Sequence, residues 1–340
     1  MNASPPHICI FGAGSIGCYV GGRLAKAGVH VSFVGRERFA KDIAENGLRL
    51  TDYRGADLQL GAADVDYRVD PAIAAEADLV LVTVKSGATA EAGAVLAGLA
   101  KPGAGVVSFQ NGIGNAEALQ AALPGRIVLA GMVPFNVIRR GPGHFHQGTE
   151  GELDIQRNAV LAPFVESFAK AGLPLHQHAD LAPVQWAKLL LNLNNAINAL
   201  SGLPLKAELS QRDFRRCLAL AQREALALLD AAAIRPAKLT PLPPQWIPFV
   251  LGLPDALFRI IAAKMLAIDP LARSSMLDDL DAGRPTEVDW LNGEIVRLAM
   301  ELGRPAPVNA RLVELVHAAE EGGRRNWPGD DLLERLQSPR

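Results

Sequence analysis

The sequence predicts an α/β domain built on a parallel sheet, followed by an all-α domain. In the first half, short β-rich runs such as HICIF and LVLVTV alternate with helical stretches, a pattern typical of parallel strands joined by crossover helices. From about residue 182 the β-branched runs disappear and long helical stretches follow one another. We therefore expect the α/β domain over residues 1–180, the helical domain over 181–325 and a C-terminal tail over 326–340.

The first domain begins with HICIF, which leads into a helix that ends near Ala27, and a second helix is predicted near residues 88–99. The other predicted strands are VHVSFV, LRLTD, LVLVTV, AGVVSFQ, RIVLAGMVPFNV and the glycine-broken stretch GPGHFHQGTEGELDIQ, which is expected to form hairpins. His144 and His146 in this last stretch are interpreted as surface residues. No metal site is expected from the sequence.

The second domain is predicted to consist of helices separated by one proline-rich segment. The predicted helices cover residues 186–200, 208–233, 256–280, 286–302 and 308–321. The segment TPLPPQWIPFVLGLP, residues 240–254, has too many prolines for a regular helix throughout and is predicted to be a loop or lid. The chain after Gly322 is interpreted as a peripheral appendage.

Composition and charge argue against several classes of partner. The 340 residues are 49% hydrophobic and 21% charged, with a formal net charge of −2, which is ordinary for a globular protein. There is no long basic run to bind nucleic acid, and no apolar run reaches the roughly 18 residues of a membrane span. The three cysteines, Cys9, Cys18 and Cys217, are too scattered for a disulfide framework. We expect a cytoplasmic protein without nucleic-acid or membrane partners.

A glycine-rich turn near the N-terminus predicts a dinucleotide site. GAGSIG is a G-x-G-x-x-G motif that directly follows the first predicted strand and opens a helix. In such a turn the first glycine permits the bend, the second lets a pyrophosphate approach the backbone, and the third lets the helix pack close to the strand. The predicted cofactor-binding residues of this Rossmann-type turn are Gly12, Ala13, Gly14, Ser15, Ile16 and Gly17.

The end of the second strand favours NADPH over NADH. An acidic residue there would bind the ribose 2′-hydroxyl of NAD, whereas this chain has Gly35, Arg36 and Arg38. Arg36 directly follows the strand and is the better candidate for the 2′-phosphate, with a solvated surface arginine as the alternative. Glu37 is a mild counter-signal.

Two polar residues end neighbouring strands of the predicted sheet. Lys85 ends LVLVTVK, and Asn111 follows VVSFQ. Because ligands of open α/β sheets bind at the carboxyl ends of strands, both are predicted to face cofactor or substrate. A turn or capping role would explain either one alone.

An apolar helix of the second domain carries a polar stripe. In WAKLLLNLNNAINAL, Lys188, Asn192 and Asn195 fall on one narrow face at about 100° per residue, whereas Asn194 and Asn198 point elsewhere. One interpretation is a lysine that reaches water from a buried stem, with asparagines that cap or bridge helices. The other is a cavity in which a desolvated lysine of lowered pKa acts as an acid. The stripe alone does not decide between them.

Together these motifs resemble the ketopantoate reductase (2-dehydropantoate 2-reductase) family. The resemblance covers roughly residues 7–320 and is carried in order by GAGSIG, VTVKSG, QNGIG, the stretch 131–143, WAKLLLN and SSMLDDLDAGRPTEVDWLNG. It implies a Rossmann domain joined to a helical domain similar to that of 6-phosphogluconate dehydrogenase, with the active site in the cleft between them. It also implies NADPH-dependent reduction of ketopantoate to pantoate, a step toward pantothenate and coenzyme A.

The resemblance implies substrate contacts in the helical domain. Lys188 matches the lysine that donates the proton, and Asn192 matches a substrate-binding asparagine. Asn195 matches the next family asparagine if the helix carries a one-residue gap, which its position over Lys188 supports. Ser275 in SSM matches a serine that holds the substrate. Asp279, one turn later, either orients this serine or is solvated.

Three further residues are implied near the cofactor. Glu287 in PTEVDW matches a glutamate that contacts substrate and cofactor, and it is the second catalytic candidate; the alternative is an acidic residue that complements a helix dipole. Asn111 matches an asparagine near both ligands. Val137 lies in a loop that matches a backbone contact to the cofactor. The expected ligands are NADPH or NADP+ and a small-molecule 2-oxo acid.

The chain departs from the family after the striped helix. Several relatives have P-N-G-E there, whereas this chain reads PLKAE, with Lys206 and Glu208. Together with a longer segment at 240–265, this makes another branched 2-oxo acid an alternative substrate. A non-catalytic NADP-binding sensor is the alternative from a different class. The apolar helical domain is also compatible with a homodimer.

Overall fold

The computed structural model describes residues 6–261 and 272–338. These residues form two compact units that divide between Leu181 and Ala182. Every described strand lies in the first unit, and the elements described in the second unit are helices. The middle of the predicted helix 256–280 and the end of the segment 240–265 lie outside the described residues.

The strands of the first unit form two sheets. The strands are β1 (His7–Phe11), β2 (His30–Val34), β3 (Leu48–Asp52), β4 (Asp57–Leu60), β5 (Asp66–Arg68), β6 (Leu79–Val82), β7 (Gly105–Ser108), β8 (Ile127–Met132), β9 (Val137–Gly141), β10 (His144–Gln147), β11 (Leu153–Gln156) and β12 (Leu175–His178). An eight-stranded sheet has the order β12-β11-β8-β7-β6-β1-β2-β5, and a four-stranded sheet has the order β4-β3-β10-β9.

The eight-stranded sheet confirms the predicted α/β domain. Strands β5, β2, β1, β6, β7 and β8 pair in parallel, as do β11 and β12, and within the described part of this sheet only the β8–β11 pairing is antiparallel. Along β1, Ile8 and Ile10 enter one hydrophobic core while Cys9 and Phe11 enter another, so both faces are buried. The strand order reverses beside β1, which is where open α/β sheets bind ligands.

The four-stranded sheet corrects the prediction that LRLTD joins the parallel sheet. This segment is β3, which pairs antiparallel with β4 and parallel with β10. Its Leu48 and Leu50 pack on the first helix, where a Cβ at Gly22 would meet Leu48 at 2.5 Å. The segment therefore builds a second layer over that helix. The antiparallel β9–β10 pair confirms a hairpin in the glycine-broken stretch.

The interpretation of the two histidines on β10 as surface residues is also corrected. His146 is buried and His144 is half-buried, and a ring nitrogen of each lies within 2.9 Å of the Thr51 hydroxyl on the neighbouring strand. Both side chains are enclosed because β10 is an interior strand of its sheet. Within the described ranges, no group of three or more His, Cys, Asp or Glu side chains is arranged to hold a metal ion.

Helices complete both units. In the first unit they are α1 (Ser15–Lys26), α2 (Glu37–Asn46), α3 (Thr89–Leu99), α4 (Asn115–Ala122) and α5 (Val165–Lys170). In the second unit they are α6 (Ala182–Asn192), α7 (Asn194–Ser201), α8 (Leu205–Leu209), α9 (Arg212–Ala231), α10 (Ile247–Leu251), α11 (Asp255–Ile261), α12 (Ser275–Asp281), α13 (Val288–Glu301), α14 (Pro307–Glu320) and α15 (Gly329–Gln337). Each helix in the described part of the chain is too short or too polar to cross a membrane.

The predicted helix 186–200 is two helices with a brief interruption at Leu193. This residue keeps helical dihedral angles, φ −56° and ψ −22°, and its N–H donates to the Leu189 carbonyl at 3.0 Å. The helical path therefore continues through the break. The continuous helix predicted over 256–280 is wrong, because residues 272–274 are not helical and the Ser274 side chain caps the start of α12.

The C-terminal segment is not the predicted peripheral appendage. It forms α15, whose Leu332, Leu333 and Leu336 are buried, and α15 packs on α9 and α14. The leucine spacing is that of an amphipathic helix, so the segment belongs to the core of the second unit. The proline-rich segment contains a short 3₁₀ turn, Pro244–Trp246, and α10, which confirms that it is not one regular helix.

Candidate active site

The glycine-rich turn between β1 and α1 uses each glycine for a different steric reason. Gly12 has a φ of +96°, and a Cβ there would lie 2.6 Å from the backbone nitrogen of Val84. At Gly17 a Cβ would meet the hydroxyl of Thr83 at 2.5 Å, so α1 packs tightly at this point. Around Gly14 the nearest atom to a Cβ would be a carbonyl oxygen 3.8 Å away. The backbone at Gly14 is therefore open to a ligand.

The start of α1 presents donors beside this opening. Gly14 is the N-cap, no side chain caps the helix, and the first turn contains no acidic residue. The N–H groups of Ser15–Gly17 belong to the turn that has no intrahelical acceptors, and the helix dipole adds partial positive charge. The N–H groups of Gly12 and Ala13 both donate to the Val34 carbonyl, at 2.9 and 2.8 Å, and hold the turn against β2. This geometry fits a pyrophosphate.

Positive charge gathers at the end of β2. The guanidinium carbon of Arg36 lies 5.9 Å from the centre of the Phe39 ring, and those of Arg38 and Arg139 lie 4.8 and 5.6 Å from the same ring. Arg139 is paired with Asp42 at 2.5 Å, whereas the exposed Arg36 makes no ion pair with any described residue. Arg36 thus has its charge available for an anionic group, as the sequence predicts for a 2′-phosphate.

Tyr67 joins this cluster to the glycine-rich turn. Its hydroxyl donates to the Ala13 carbonyl at 3.1 Å, and burial raises its pKa while Arg36 and Arg38 oppose the rise. The same hydroxyl would lie 2.1 Å from a Cβ at Gly35. An acidic side chain at position 35, where it would bind the ribose hydroxyl of NAD, would therefore have to displace the Tyr67 ring. The sequence did not predict a role for Tyr67, because this residue lies on β5, far along the chain from the glycine-rich turn.

Lys85 and Asn111 stand on neighbouring loops after β6 and β7. Lys85 is exposed before the 3₁₀ turn that begins at Ser86, and Asn111 is half-buried. The Ser86 hydroxyl donates to the Asn111 carbonyl at 2.9 Å, and the Asn115 amide donates to the same oxygen at 2.7 Å. These bonds fix the two loops together. Ser86 and Asn115 were missed by the sequence analysis, although each stands within four residues of a predicted site residue.

Val137 is corrected from a loop residue to the first residue of β9. It pairs with Gln147 across the antiparallel ladder, and its side chain packs on the core of the first unit. Because β9 begins at Val137 and pairs with β10, the backbone of this residue is not free on both sides, as it would be in a loop. A cofactor contact through its backbone stays a prediction.

In the second unit, burial along α6 and α7 follows the predicted stripe. Between residues 186 and 200, only Lys188, Leu191, Asn192 and Asn195 are partly exposed, and every other residue is buried. These positions recur at three- and four-residue intervals, so they form one face. Asn194 and Asn198, which pointed elsewhere in the prediction, are buried.

Lys188 has the electrostatic property that the cavity interpretation requires. Desolvation by burial lowers the pKa of its ammonium group to about 8. A lysine whose head reached bulk water would keep a pKa near the ordinary value of about 10.4. This burial agrees with the cavity interpretation, and the role of Lys188 as an acid stays a prediction.

Two further predicted residues lie at helix starts. Ser275 is the exposed first residue of α12, and the buried Ser274 before it provides the cap. Glu287 is the half-buried N-cap residue of α13, but its side chain makes no capping hydrogen bond, so capping does not account for it. Asp279 is buried and bonds Arg284 at 3.0 Å, which makes its solvated interpretation wrong.

The sequence analysis left Asn194 and Asn198 unassigned, and the structure gives both a partner. Their side-chain amides donate to Oε2 of the buried Glu208, at 3.2 and 2.8 Å. The sequence predicted no role for Glu208, the last residue of PLKAE. Its partners are 10 and 14 residues away in sequence, so no helical or strand periodicity indicated the contact.

Family profiles match both units. The profile described as ketopantoate reductase PanE/ApbA matches residues 8–159, and its C-terminal counterpart matches residues 180–320. A protein named 2-dehydropantoate 2-reductase from Halobacterium salinarum is 29% identical over 324 residues, 93% of this chain and 100% of that protein. A protein of the same name from Archaeoglobus fulgidus is 29% identical over 328 residues, 93% of this chain and 98% of its own length.

Solved structures agree with these sequence matches. A PanE/ApbA family ketopantoate reductase from Ralstonia eutropha is 32% identical, with a TM-score of 0.79 over 93% of this chain and 99% of that one. D-mandelate dehydrogenase, solved with NADH and anilino(oxo)acetate, has a TM-score of 0.75 at 20% identity over 93% and 99% of the chains, a likeness of fold alone. The profiles span most of both units, and the chain belongs to the ketopantoate reductase PanE/ApbA family.

Proposed function

We propose that this protein reduces ketopantoate to pantoate with NADPH, and that Lys188 is the general acid. As a family member it is an oxidoreductase that uses a nicotinamide cofactor. The finer proposal is carried by the position of Lys188 on a face that also holds Asn192 and Asn195, where burial lowers the pKa of the lysine to about 8. A protein that only sensed NADP would need no desolvated lysine beside two amides.

The proposed chemistry divides between the two sets of residues. When bound, NADPH supplies a hydride to the carbonyl carbon of the 2-oxo acid. The negative charge that develops on the carbonyl oxygen must be stabilised and protonated, and the Lys188 ammonium does both. Below pH 8 most of this lysine carries its proton, yet it releases that proton more readily than an ordinary lysine. Asn192 and Asn195 offer amide donors to the substrate carboxylate or hydroxyl, and Ser275 offers a hydroxyl.

The preference for NADPH is supported by charge and by sterics. Arg36 is exposed and unpaired among the described residues, so its planar guanidinium is available for a 2′-phosphate. A side chain at position 35 that would select NAD would have to displace Tyr67, whose hydroxyl would lie 2.1 Å from its Cβ. Glu287 and the backbone of Val137 are proposed as further contacts to the cofactor, and Lys85 and Asn111 as contacts to cofactor or substrate.

A related reductase of another branched 2-oxo acid is the second candidate. It is favoured by Lys206, which is exposed on α8 in the PLKAE stretch, where the family resemblance implies an asparagine. A long cationic side chain there would change which substrate tail is preferred.

A fold neighbour from Staphylococcus aureus, 18% identical with a TM-score of 0.68, is described as dimeric. A homodimer is the corresponding proposal for this chain, and analytical ultracentrifugation measures it.

A panel of substrates tests the proposed function. Purified protein would be assayed for NADPH oxidation with ketopantoate, 2-oxoisovalerate and phenylglyoxylate, and kcat/KM compared. We expect ketopantoate to give the highest value. A higher value for another 2-oxo acid would replace the substrate, and NADPH binding without turnover of any member would support the sensor.

A further inference from the structure

Glu208 is a fully buried carboxyl group with no cationic partner. Its exposure is 0%, and among the described residues its side chain hydrogen-bonds only two amides, those of Asn194 and Asn198. An ionised carboxylate in this setting would be strongly destabilised, because neither Coulomb attraction nor water would offset its desolvation. Burial accordingly raises the pKa of Glu208 to about 8.

The hydrogen bonds around this carboxyl leave two acceptors without a donor. Both amides donate to Oε2, while Oε1 of Glu208 and Oδ1 of Asn194 have no partner in the described structure. Each of these buried acceptors is unfavourable unless a donor reaches it. A neutral carboxylic acid has an O–H donor, and a carboxylic acid and a carboxamide can close a ring of two hydrogen bonds.

Asn198 connects Glu208 to the start of α12. Its amide nitrogen donates to Glu208 Oε2 at 2.8 Å and to the Leu203 carbonyl at 2.8 Å, and its oxygen accepts from the Ser274 N–H at 3.0 Å. Both amide hydrogens and the oxygen of Asn198 are thus engaged. Ser274 also donates to the Asn195 carbonyl, at 3.5 Å. The network therefore ends on the neighbours of two proposed substrate contacts, Ser275 and Asn195.

We propose that Glu208 is a positioning residue that acts as a neutral carboxylic acid. Its Oε1 hydroxyl donates to Asn194 Oδ1, and its Oε2 holds the amides of Asn194 and Asn198. Through these bonds α7 is fixed against the first turn of α12, which sets Asn195 and Ser275 for the substrate. The effect on substrate binding rests on the proposed function, whereas the neutral state of Glu208 does not.

The other ionisable groups around the network make no hydrogen bond or ion pair with the Glu208 carboxyl in the described part of the chain. From α9, Cys217 has a pKa raised mainly by burial, with Asp213 and Glu208 adding to the rise. Arg215 of α9 bonds the carbonyl of Leu209 and the carboxylate of Asp255. Lys206 of α8 is exposed, and α7 carries no charged residue.

On the α12 side, the charged groups pair with one another: Arg273 with Asp278 and Asp281, and Arg284 with Asp279. None of these supplies a cation to Glu208.

Infrared difference spectroscopy tests the protonation state directly. Glu208→Gln keeps the shape and one donor, so the spectrum of wild type minus this variant isolates the carboxyl group. We expect a neutral carboxylic-acid carbonyl band at pH 7 that disappears above pH 9. Glu301→Gln, an exposed control on α13, should leave that band in place. Absence of the band at pH 7, or its persistence in Glu208→Gln, would overturn the neutral state.

Steady-state kinetics test the positioning role. At pH 7 we expect Glu208→Gln to have a kcat and a KM for ketopantoate within about twofold of wild type, since a neutral amide replaces a neutral acid. Between pH 7 and 9.5 the wild-type KM should rise several-fold more than that of the variant, while kcat changes in parallel in both. A tenfold higher KM for Glu208→Gln at pH 7 would mean that the carboxylate is the working form. If the wild type does not turn over ketopantoate, the proposed function fails, and the infrared result still decides the state of Glu208.

Discussion

The glycine-rich turn and the asparagine-rich helices are built in opposite ways. The turn offers backbone, and its specificity comes from side chains that are absent at Gly12, Gly14 and Gly17. The α6–α7 segment offers side chains, and their properties depend on what desolvates or bonds each one. A site made of backbone should therefore fail when atoms are added, and a site made of side chains should fail when atoms are removed.

The largest loss is expected from Lys188→Ala. Removal of a general acid typically costs about 10²–10⁴ in rate, and here the same group also stabilises the developing charge. We expect kcat/KM for ketopantoate to fall by about 10³ or more, while the Kd for NADPH, measured by fluorescence titration, stays within about twofold. Lys238→Ala, an exposed lysine of the same unit, is the control and should be silent. Turnover of Lys188→Ala near the wild-type rate would contradict the assignment.

Adding one methyl group should separate the glycines of the turn. Gly12→Ala puts a Cβ 2.6 Å from a backbone nitrogen at a φ of +96°, so both folding and NADPH binding should suffer, with a loss of about 3 kcal/mol in stability. Gly14→Ala meets no protein atom within 3.8 Å, so we expect wild-type thermal stability with about tenfold or greater weakening of NADPH binding. Gly98→Ala, which also has open space but lies in α3, is the control for NADPH binding, which it should leave unchanged while it raises helix stability by up to about 1 kcal/mol. Unchanged binding in Gly14→Ala would remove the pyrophosphate from this position.

Arg36→Ala tests the side-chain part of the cofactor site. Loss of a charge-assisted hydrogen bond costs about 1.5–3 kcal/mol, which is roughly 10- to 100-fold in affinity. We expect the ratio of kcat/KM for NADPH over NADH to fall by that factor, with little change in the NADH value itself. Arg235→Ala, an exposed arginine of the second unit, should leave the ratio unchanged. A ratio that stays constant in Arg36→Ala would assign the 2′-phosphate to another group, for which Arg38 is the next variant.

The sequence predicts a site made of backbone more completely than a site whose side chains depend on packing. The glycine motif could be predicted because the turn requires glycines at a fixed spacing in the sequence. Arg36 could be predicted because it directly follows β2. Tyr67 and the Glu208 network were not, because strand pairing and helix packing bring them together from separate segments. The stripe of Lys188, Asn192 and Asn195 was predicted by helical periodicity, but the desolvation that makes the lysine acidic depends on packing. The small second sheet escaped prediction for a similar reason, since β3 has the same alternation in either sheet.

The pH dependence of turnover should report Lys188. An acid must carry its proton to act, and the pKa of this ammonium is lowered to about 8. The kcat/KM for ketopantoate should therefore be constant below pH 8 and fall about tenfold for each pH unit above it. An ordinary lysine would hold the plateau to about pH 10. Because kcat/KM reports the pKa values of the enzyme without substrate, a profile that is flat to that pH would show that Lys188 is not the limiting acid.

The smallest effect on turnover, none at pH 7, is expected from Glu208→Gln, and its signature is in stability. The pKa of Glu208 is raised from 4.5 to about 8 in the folded protein. Between these values the folded chain keeps a proton that the unfolded chain releases, so wild-type stability should fall as pH rises from about 4.5 to 8 and then level off. Glutamine has no such titration. Thermal unfolding of the two proteins should give nearly equal Tm values near pH 4.5. Up to pH 8 the Tm of Glu208→Gln should rise increasingly above that of wild type, which corresponds to a difference of a few kcal/mol at most in the free energy of unfolding. If the difference in Tm is constant across this range, Glu208 titrates alike in both states, and the buried asparagines are held by a charged carboxylate instead.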